Sequence, residues 1–321
     1  MTKILILGGG GMIGQKLARH ITEHNVFEGA ELTLFDRAFP KKSVIAKTVL
    51  GNIVDATTAQ SLAANKPDVI FHLAAIVSGE AEANFDLGWD VNMMAMWHLL
   101  NAIKTEHERS KGTYRPRLIF TSSIAVYGGP YPDRIDDSFF SAPLTSYGAQ
   151  KATCELMVTD FSRKGFIDGV SLRLPTICVR PGKANAAASS FFSGIIREPL
   201  NGIVAILPVA DTVRHWHASP RTATQFLIHA ATLDTNLLDR RCALNLPGVS
   251  CTVAEQIEAL RSAAGQNAVD LIKIKLDPKI IQIVEGWPRD FNPKRAIALG
   301  FAAEDSFDEI IKTYIQDDLR T

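Results

Sequence analysis

The stretch Lys3-Ile4-Leu5-Ile6-Leu7-Gly8-Gly9-Gly10-Gly11-Met12-Ile13-Gly14 decides the fold of this chain. Its first five residues form a short, mostly apolar run, which is typical of a strand buried on both faces of a parallel sheet. Leu17 and Ile21 follow at helical spacing, so one face of the next segment is apolar. The stretch therefore predicts a strand, a glycine loop and a helix, in that order.

The glycines of this loop have the spacing Gly8-x-x-Gly11-x-x-Gly14. The first permits a tight turn, the second lets the backbone approach a pyrophosphate, and the third allows close packing of helix on strand. The helix N-terminus attracts the phosphate charge. A flexible turn is the alternative, and the strand-to-helix context weakens it. We therefore expect Gly8, Gly11, Met12, Ile13 and Gly14 to bind a dinucleotide.

Asp36 lies 22 residues after Gly14, at the end of a predicted second strand over residues 31–35. An acidic residue at about this distance is expected to accept hydrogen bonds from the adenosine ribose of NAD and to repel a 2′-phosphate. Arg37 follows directly, and an arginine there could tolerate NADP. NAD is therefore the expected cofactor, and NADP remains possible.

Two further segments stand where predicted parallel strands end. Asn52 and Ile53 follow the third, and Leu73, Ala74 and Ala75 follow the next, where small side chains leave room for a cofactor. His72 lies within that apolar strand, which favours a core histidine with satisfied hydrogen bonds over a catalytic one. Asn92 interrupts the apolar stripe of a helix predicted over residues 85–108, so it either caps a local kink or belongs to the site.

Tyr147 and Lys151 stand four residues apart in a segment that reads as a helix, residues 147–165. This spacing puts both side chains on one helix face. A neighbouring ammonium favours the phenolate, and a phenolate can accept a proton from an alcohol. Such a pair also occurs on ordinary solvated helix faces. Ser123 ends another predicted strand, where hydroxyl groups point into the ligand crevice.

Strands and helices alternate up to about residue 175 and then give way to a less regular pattern. Alternation of this kind predicts an α/β fold, namely a Rossmann-type doubly wound parallel sheet. The second half predicts a smaller C-terminal α+β substrate lobe. We expect an NAD-binding domain over residues 1–176, with 212–247 returning to it, and a substrate-binding lobe over 177–211 and 248–321.

The composition excludes several classes of protein. Hydrophobic residues make up 46% and charged residues 21%, and 34 basic residues balance 34 acidic ones. This balance provides no electrostatic footprint for nucleic acid, and no apolar run is long enough for a membrane span. The four cysteines form no CxxC pair and have no nearby metal-ligand spacing. We expect a cytoplasmic protein with reduced thiols and no metal, nucleic-acid or membrane partner.

The combined motifs resemble the extended short-chain dehydrogenases/reductases, the NAD-dependent epimerase/dehydratase family, over essentially the whole chain. The motifs stand in that family's order and spacing: the glycine loop, His72-Leu73-Ala74-Ala75, Ser122-Ser123-x-x-Val126-Tyr127-Gly128 and Tyr147-Gly148-x-x-Lys151. Leu7 departs from the pattern, because many members have Thr before the first glycine. That change removes a hydroxyl from a phosphate contact made mainly by backbone.

The resemblance implies a role for each matching residue. Tyr147 would be the proton acceptor, and Lys151 its partner, which also bonds the nicotinamide ribose. Ser123 would hold the substrate oxygen, and Asn92 could support a proton relay through water. Tyr147, Lys151, Pro175 and Ile177 would also contact the cofactor. The resemblance also makes a homodimer possible.

Three stretches of the chain bear on the substrate: residues 77–82, 214–220 and 287–301. They resemble the subgroup that oxidises the C2 hydroxyl of D-erythronate, a four-carbon sugar acid, to the 2-oxo acid. The candidate substrate residues are Ser78, Ser123, Tyr147, Arg180, Asn185 and Arg214. A carboxylate needs a cation or several N–H donors, although a structural ion pair explains Arg214 equally well.

Two other functions are compatible with the sequence. One is a nucleotide-sugar epimerase or dehydratase that retains NAD. Residues 183–196, with one Lys and no Arg, offer little to clamp its diphosphate, which mildly favours the small acid. The other is a non-enzymatic regulator that senses a dinucleotide, which would not need Tyr147, Lys151 and Ser123 together.

Overall fold

The computed structural model describes residues 1–44, 46–182 and 187–319, so Asn185 lies outside the described residues. The strands in this part of the chain are β1 Lys3–Leu7, β2 Glu31–Asp36, β3 Lys47–Leu50, β4 Val69–His72, β5 Arg117–Ser123, β6 Ile135–Asp136, β7 Asp168–Leu174, β8 Thr176–Ile177, β9 Ala205–Leu207, β10 Arg214–Ala218, β11 Ala243–Asn245, β12 Val249–Thr252, β13 Ile272–Ile274 and β14 Phe291–Asn292.

The α-helices lie between these strands and after them. They are α1 Met12–Glu23, α2 Ala56–Ala64, α3 Ser78–Ala83, α4 Phe85–Trp89, α5 Ala95–Arg109, α6 Ser146–Arg163, α7 Ser190–Leu200, α8 Pro220–Thr232, α9 Val253–Ala264, α10 Gln266–Val269, α11 Pro278–Glu285, α12 Lys294–Ala298 and α13 Phe307–Asp317. None of the helices in the described ranges is long and apolar enough to cross a membrane.

A seven-stranded sheet organises the first part of the described chain, in the order β11-β7-β5-β4-β1-β2-β3. β1 pairs in parallel with both β2 and β4, and the pairs β2–β3 and β4–β5 are also parallel. The chain therefore builds outward from β1 to β3 and then returns to β4 on the other side of β1. This arrangement confirms the predicted Rossmann-type doubly wound sheet. Its ligand crevice lies at the carboxyl ends of β1 and β4, where the strand order reverses.

Helices cover this sheet with the apolar stripes that the sequence predicts. Met96, Leu99, Leu100 and Ile103 of α5 are almost completely buried, as is every residue of β4. Burial of a large aliphatic side chain contributes about 1.5–3 kcal/mol, so this layer of packing fixes the strands that carry the site.

The single helix predicted over residues 85–108 is wrong in its middle. α4 ends at Trp89, a π-helical segment spans Asp90–Met94, and α5 begins at Ala95. The wider turn places the buried side chain of Asn92 against the backbone of Ile76, with which it forms two hydrogen bonds. Those bonds favour the local π geometry over a regular helix, and π-helical turns often mark functional sites.

The chain divides into two compact units. The first comprises Met1–Val126, Thr145–Arg173 and Thr224–Leu244, and the second comprises Tyr127–Leu144, Leu174–Ala223 and Asn245–Thr321. β11, which lies at the predicted return of the chain to the main sheet, does join that sheet. The predicted domain functions and boundaries stay a prediction.

The second unit contains three small sheets among its described residues: β12-β10-β8, β13-β9 and β14-β6. Its core includes Phe192, Leu207, Leu260 and Ile310. A capping box, in which the Thr252 hydroxyl accepts from the Glu255 N–H and the Glu255 carboxylate accepts from the Thr252 N–H, begins α9.

Candidate active site

The glycine loop has the tight geometry that its spacing predicts. Gly8 has a φ of 85°, and its N–H donates to the Phe35 carbonyl at 2.9 Å. A Cβ on Gly14 would lie 2.3 Å from the Gly8 carbonyl oxygen. α1 then begins after Gly11, and no side chain in the described ranges caps it. Its first N–H groups suit an anionic ligand, so the loop fits a dinucleotide pyrophosphate.

Asp36 is the last residue of β2, and its carboxylate faces this loop. The carboxylate accepts a hydrogen bond from the Gly10 N–H at 2.9 Å and another from the Arg37 N–H at 2.6 Å. Each carboxylate oxygen accepts one of these bonds, so the carboxylate is held beside the glycine loop. Asp36 therefore stands at the carboxyl end of the strand next to β1, as the sequence predicts.

The remaining cofactor candidates of the first unit follow strand ends. Asn52 and Ile53 come after β3, and Leu73, Ala74 and Ala75 come after β4. The Leu73 N–H donates to the Leu7 carbonyl at 2.9 Å, and a Cβ on Gly8 would lie 2.7 Å from the Ala74 nitrogen. The segment after β4 thus packs directly on the glycine loop. Pro175 and Ile177 belong to the second unit.

Tyr147 and Ser123 form a pair that is suited to proton transfer. Ser123 ends β5, and Tyr147 lies in the first turn of α6, which Thr145 caps through a hydrogen bond from the Gly148 N–H at 3.1 Å. Burial raises the pKa of Tyr147 to about 12, and a hydrogen bond with the Ser123 hydroxyl acts in the opposite direction. The phenol and the serine hydroxyl are therefore in contact at the carboxyl end of β5.

Lys151 lies beside this pair in the protein interior. Its Nζ is 5.6 Å from the centroid of the Tyr147 ring and 4.7 Å from that of Phe120, and it donates to the Thr121 carbonyl at 2.8 Å. Burial lowers the pKa of Lys151 to about 8, although Glu155 opposes the shift. Burial has the largest effect on the pKa of this phenol, and the expectation that Lys151 lowers the pKa of Tyr147 stays a prediction.

Asn92 holds two segments of the site together. Its Oδ1 accepts from the Ile76 N–H at 2.9 Å, while its Nδ2 donates to the Ile76 carbonyl at 3.3 Å and to Gln150 Oε1 at 2.8 Å. Its backbone carbonyl accepts from the Cys154 thiol at 3.1 Å. The side-chain amide is thus occupied in joining the segment after β4 to α6. The sequence does not indicate this role for Gln150, although Gln150 lies between Tyr147 and Lys151 of the motif.

A largely buried ion pair between Glu155 and Arg173 lies one helical turn beyond Lys151, and the sequence does not predict it. Glu155 accepts from Ser122 Oγ at 2.5 Å and forms two-point contacts with Arg173, whose Nη2 lies 2.6 Å from Glu155 Oε2. Both side chains of this ion pair are largely buried. The pair ties α6 to β5 and β7. Its only sequence signal is the spacing of four residues between Lys151 and Glu155.

His72 is a core residue, but the expectation that its hydrogen bonds are satisfied is wrong. The side chain is completely buried, and neither ring nitrogen has a partner in the described part of the chain. The ring packs edge-on against Phe120, with 5.8 Å between centroids. Burial, and then the charge of Lys151, lower the pKa of His72 to about 3. His72 is therefore held neutral.

The substrate candidates lie in both units. Ser78 is the first residue of α3 in the first unit, whereas Arg180 and Arg214 belong to the second. Arg214 donates to Glu255 Oε2 at 3.1 Å and to the Ser250 carbonyl at 3.0 Å. This geometry favours the structural ion pair that the sequence left as an equal alternative for Arg214.

The histidines of β10 occupy the core of the second unit. His215 stacks on Phe192 and bonds both Thr176 Oγ1, at 2.7 Å, and the Pro288 carbonyl, at 3.0 Å. His217 contacts Gln256 Nε2 at 2.9 Å. Burial lowers the pKa of both histidines, to about 4 for His215. Both rings are therefore held neutral within the core of the second unit.

The glycine loop and the residues after β4 lie within a long segment that matches a protein family. Residues 4–217 match the family model described as the NAD dependent epimerase/dehydratase family. The chain belongs to this family. The match includes the glycine loop, Ser123, Tyr147 and Lys151, and it confirms the resemblance that the motifs predict. NAD is the cofactor, and the loop after β1 fits its pyrophosphate.

Full-length relatives of this family member carry more specific names. A D-erythronate dehydrogenase of Cupriavidus necator is 44% identical over 98% of both chains. A D-erythronate dehydrogenase of Haemophilus influenzae is 40% identical over 99% of this chain and 100% of its own. The chain is an NAD-dependent dehydrogenase of the epimerase/dehydratase family.

A solved structure is also similar along the whole chain. It is titled as the nucleoside-diphosphate-sugar epimerase from Agrobacterium tumefaciens, and it superimposes with a TM-score of 0.93 at 48% identity over 99% of this chain and 95% of that one. This similarity supports the described fold from end to end.

Proposed function

We propose that this dehydrogenase oxidises the C2 hydroxyl of D-erythronate, or a close four-carbon sugar acid, to the 2-oxo acid. The observation that carries the proposal is the 44% identity, over 98% of both chains, to a protein named D-erythronate dehydrogenase. The residues of the first unit supply the chemistry that such an oxidation requires, namely a base for the hydroxyl proton and a donor for the oxygen.

Tyr147 accepts the proton of the C2 hydroxyl in this proposal. Its side chain is in contact with Ser123, and Ser123 donates a hydrogen bond to the substrate oxygen as charge develops there. Lys151 stabilises the phenolate, since an ammonium near a phenol favours its ionised form. Bound NAD supplies the hydride-accepting chemistry. Asn92 positions the segment after β4 against α6, and its role in a water relay stays a prediction.

The cofactor contacts are part of the same proposal. Gly8, Gly11, Met12, Ile13 and Gly14 bind the pyrophosphate, and Asp36 binds the adenosine ribose. The other contacts follow strand ends or lie in the second unit: Asn52, Ile53, Leu73, Ala74, Ala75, Pro175 and Ile177. Ser78 remains a proposed contact to the substrate hydroxyls. The sugar-acid carboxylate needs a cation, and Arg180 and Arg214 are the two that the sequence suggests.

The assay that tests the proposal follows the formation of NADH by its absorbance, with purified protein, NAD and D-erythronate. D-threonate and L-erythronate serve as stereochemical controls, and NADP tests the cofactor preference. We expect turnover with D-erythronate and NAD, with the 2-oxo acid as product. If none of the four-carbon acids reduces either cofactor, the proposal is wrong.

A second candidate is a nucleotide-sugar epimerase that retains NAD. The name of the Agrobacterium tumefaciens structure, which is 48% identical, favours it. Such an enzyme would convert a UDP-sugar without net NADH and would keep its cofactor through gel filtration. Incubation of the protein with UDP-glucose, followed by product analysis, distinguishes this candidate from the dehydrogenase.

A further inference from the structure

Gln15 of α1 is a buried polar residue that directly follows the last glycine of the glycine loop. Its Nε2 donates to the Gly9 carbonyl at 2.6 Å. Its Oε1 accepts from Ser43 Oγ at 3.2 Å and from the Val44 N–H at 3.0 Å. One end of the amide is therefore bonded to the glycine loop and the other to the loop after β2, residues 37–44.

Close packing of α1 brings Gln15 within reach of the glycine loop. A Cβ on Gly14 would lie 2.8 Å from the Cα atom of Gly9, so only a glycine lets the helix approach this far. Gln15 is the next residue, and its side chain is 9% exposed. Water competes little for bonds at such a depth, and a partner that lost its bond there would stay unpaired.

One peptide group of the glycine loop is held from two sides. The carbonyl of Gly9 accepts from Gln15, and the N–H of the same peptide, that of Gly10, donates to Asp36 Oδ2 at 2.9 Å. The C=O and N–H of a trans peptide point in opposite directions, so a bond at each end fixes the plane of the group. Gln15 therefore also fixes the N–H that holds the Asp36 carboxylate.

The loop after β2 packs on the same peptide. A Cβ on Gly10 would lie 2.0 Å from the Ala38 carbonyl oxygen, so the two backbones are in direct contact. The loop carries three exposed cations and no acidic residue; the cations are Arg37, Lys41 and Lys42. A phosphate placed beside this loop would be attracted by these charges, so the position of the loop affects how the site treats a 2′-phosphate.

We propose that Gln15 is a positioning residue of the NAD site, which sets the affinity for NAD and the preference for NAD over NADP by holding the Gly9–Gly10 peptide and the loop after β2 together. The assignment rests on the proposed contacts of the glycine loop and Asp36 with the cofactor. Two loops that are already fixed bind their ligand without the entropic cost of ordering the backbone.

The test compares three variants of the full-length protein. Gln15→Met keeps the length of the side chain and removes all of its hydrogen bonds, while Ser43→Ala removes one of them. Gln266→Met is the matched control, because its exposed amide in the second unit donates to Asp270 Oδ1 at 2.6 Å. We expect the Kd of NADH, measured by its fluorescence, to rise about 5- to 20-fold in Gln15→Met, since binding must then order both loops. The Kd should rise about two- to fourfold in Ser43→Ala and change by less than about 1.5-fold in Gln266→Met.

The selectivity between the two cofactors separates positioning from general disruption. When Gln15 is lost, the Asp36 carboxylate is free to turn away, so it loses its bond to the ribose and no longer repels a 2′-phosphate. The ratio of the Kd of NADPH to the Kd of NADH should therefore fall about three- to tenfold in Gln15→Met. An unchanged Kd of NADH, or equal weakening of NADH and NADPH, would overturn the assignment.

These measurements contain no sugar acid, so they are independent of the test of the proposed function. A shifted NADPH-to-NADH ratio in Gln15→Met supports the role of Gln15 even if the protein oxidises none of the four-carbon acids. Oxidation of D-erythronate by Gln15→Met with a normal KM for NAD would instead overturn the role of Gln15 and leave the proposed reaction in place. Urea unfolding shows whether each variant is folded. If Gln15→Met does not fold, Ser43→Ala decides, and an unchanged Kd of NADH in that variant counts against the proposal.

Discussion

At the residue scale, the proposed chemistry depends on one hydroxyl group. Tyr147→Phe removes that oxygen and leaves the ring in place, so packing beside Lys151 should persist. We expect kcat for oxidation of D-erythronate to fall by about 10²–10⁴-fold, the usual contribution of a general base. NAD affinity should change little, because the glycine loop and Asp36 are unaltered. Steady-state kinetics and cofactor fluorescence measure the two effects.

Tyr131→Phe provides the matched control for this substitution. Its hydroxyl donates to the carbonyls of Tyr127 and Gly286, at 3.0 and 2.9 Å, and the proposed mechanism assigns it no part. Turnover should therefore stay within about twofold of the wild type, with a loss of stability of about 1 kcal/mol. Equal activity of Tyr147→Phe and the wild type would refute the role of Tyr147.

At the same scale, the candidate residues differ in how well the sequence could locate them. Spacing alone placed Tyr147 and Lys151 on one face of α6, because helical periodicity is local. The pKa of Tyr147 could not be predicted, since it depends on how deeply residues distant in sequence bury the phenol. The partners of Arg214, which are Ser250 and Glu255, come from a distant segment, so the sequence left its ion pair as one of two alternatives.

At the scale of elements, the hydrogen bonds of Asn92 join the segment after β4 to α6. Their removal should therefore lower stability and activity together. Asn92→Ala removes three side-chain hydrogen bonds and leaves the Ile76 backbone and Gln150 Oε1 with fewer partners. We expect the free energy of unfolding to fall by about 2–3 kcal/mol, since buried polar groups lose their partners. Turnover should also fall, because α6 carries Tyr147. Urea unfolding and steady-state assays measure these changes.

Gln150→Leu separates positioning from a proton relay through Asn92. This variant breaks the same link from the side of α6 and leaves Asn92 in place. If Asn92 acts by positioning, Gln150→Leu also lowers kcat; normal turnover in this variant would instead support the relay. Asn101→Ala is the control, because its Nδ2 bonds only the Trp97 carbonyl of its own helix among the described contacts. Its unfolding free energy should change by about 0.5 kcal/mol or less.

Elements set by local pattern were predicted well, and elements set by tertiary contacts were not. The apolar run at β1 and the helical spacing of Leu17 and Ile21 in α1 are local signals, and both elements form where the sequence predicts. The π-helical segment at Asn92 arises from bonds to Ile76, sixteen residues away. Short strands such as β8 and β14 form because a distant strand pairs with them, and their two-residue sequences contain no period.

At the scale of the whole molecule, three buried histidines predict how stability depends on pH. His72, His215 and His217 are 0%, 3% and 0% exposed. Burial lowers the pKa of His72 to about 3 and of His215 to about 4, and lowers that of His217 well below its ordinary value. In the unfolded chain these side chains titrate near pH 6.5. Below that pH the unfolded chain binds protons that the folded chain does not.

The free energy of unfolding should therefore be at its full value above about pH 6.5 and fall as the pH decreases toward 4. Each neutral buried histidine contributes a slope of about 1.4 kcal/mol per pH unit in the middle of this window. Urea unfolding at intervals between pH 7 and pH 5 measures the slope. His72→Gln should reduce the slope by the contribution of one histidine, about 1.4 kcal/mol per pH unit. His24→Gln, at an exposed position, should leave the slope unchanged. A free energy of unfolding that is constant from pH 7 to pH 5 would contradict the neutral burial of these rings.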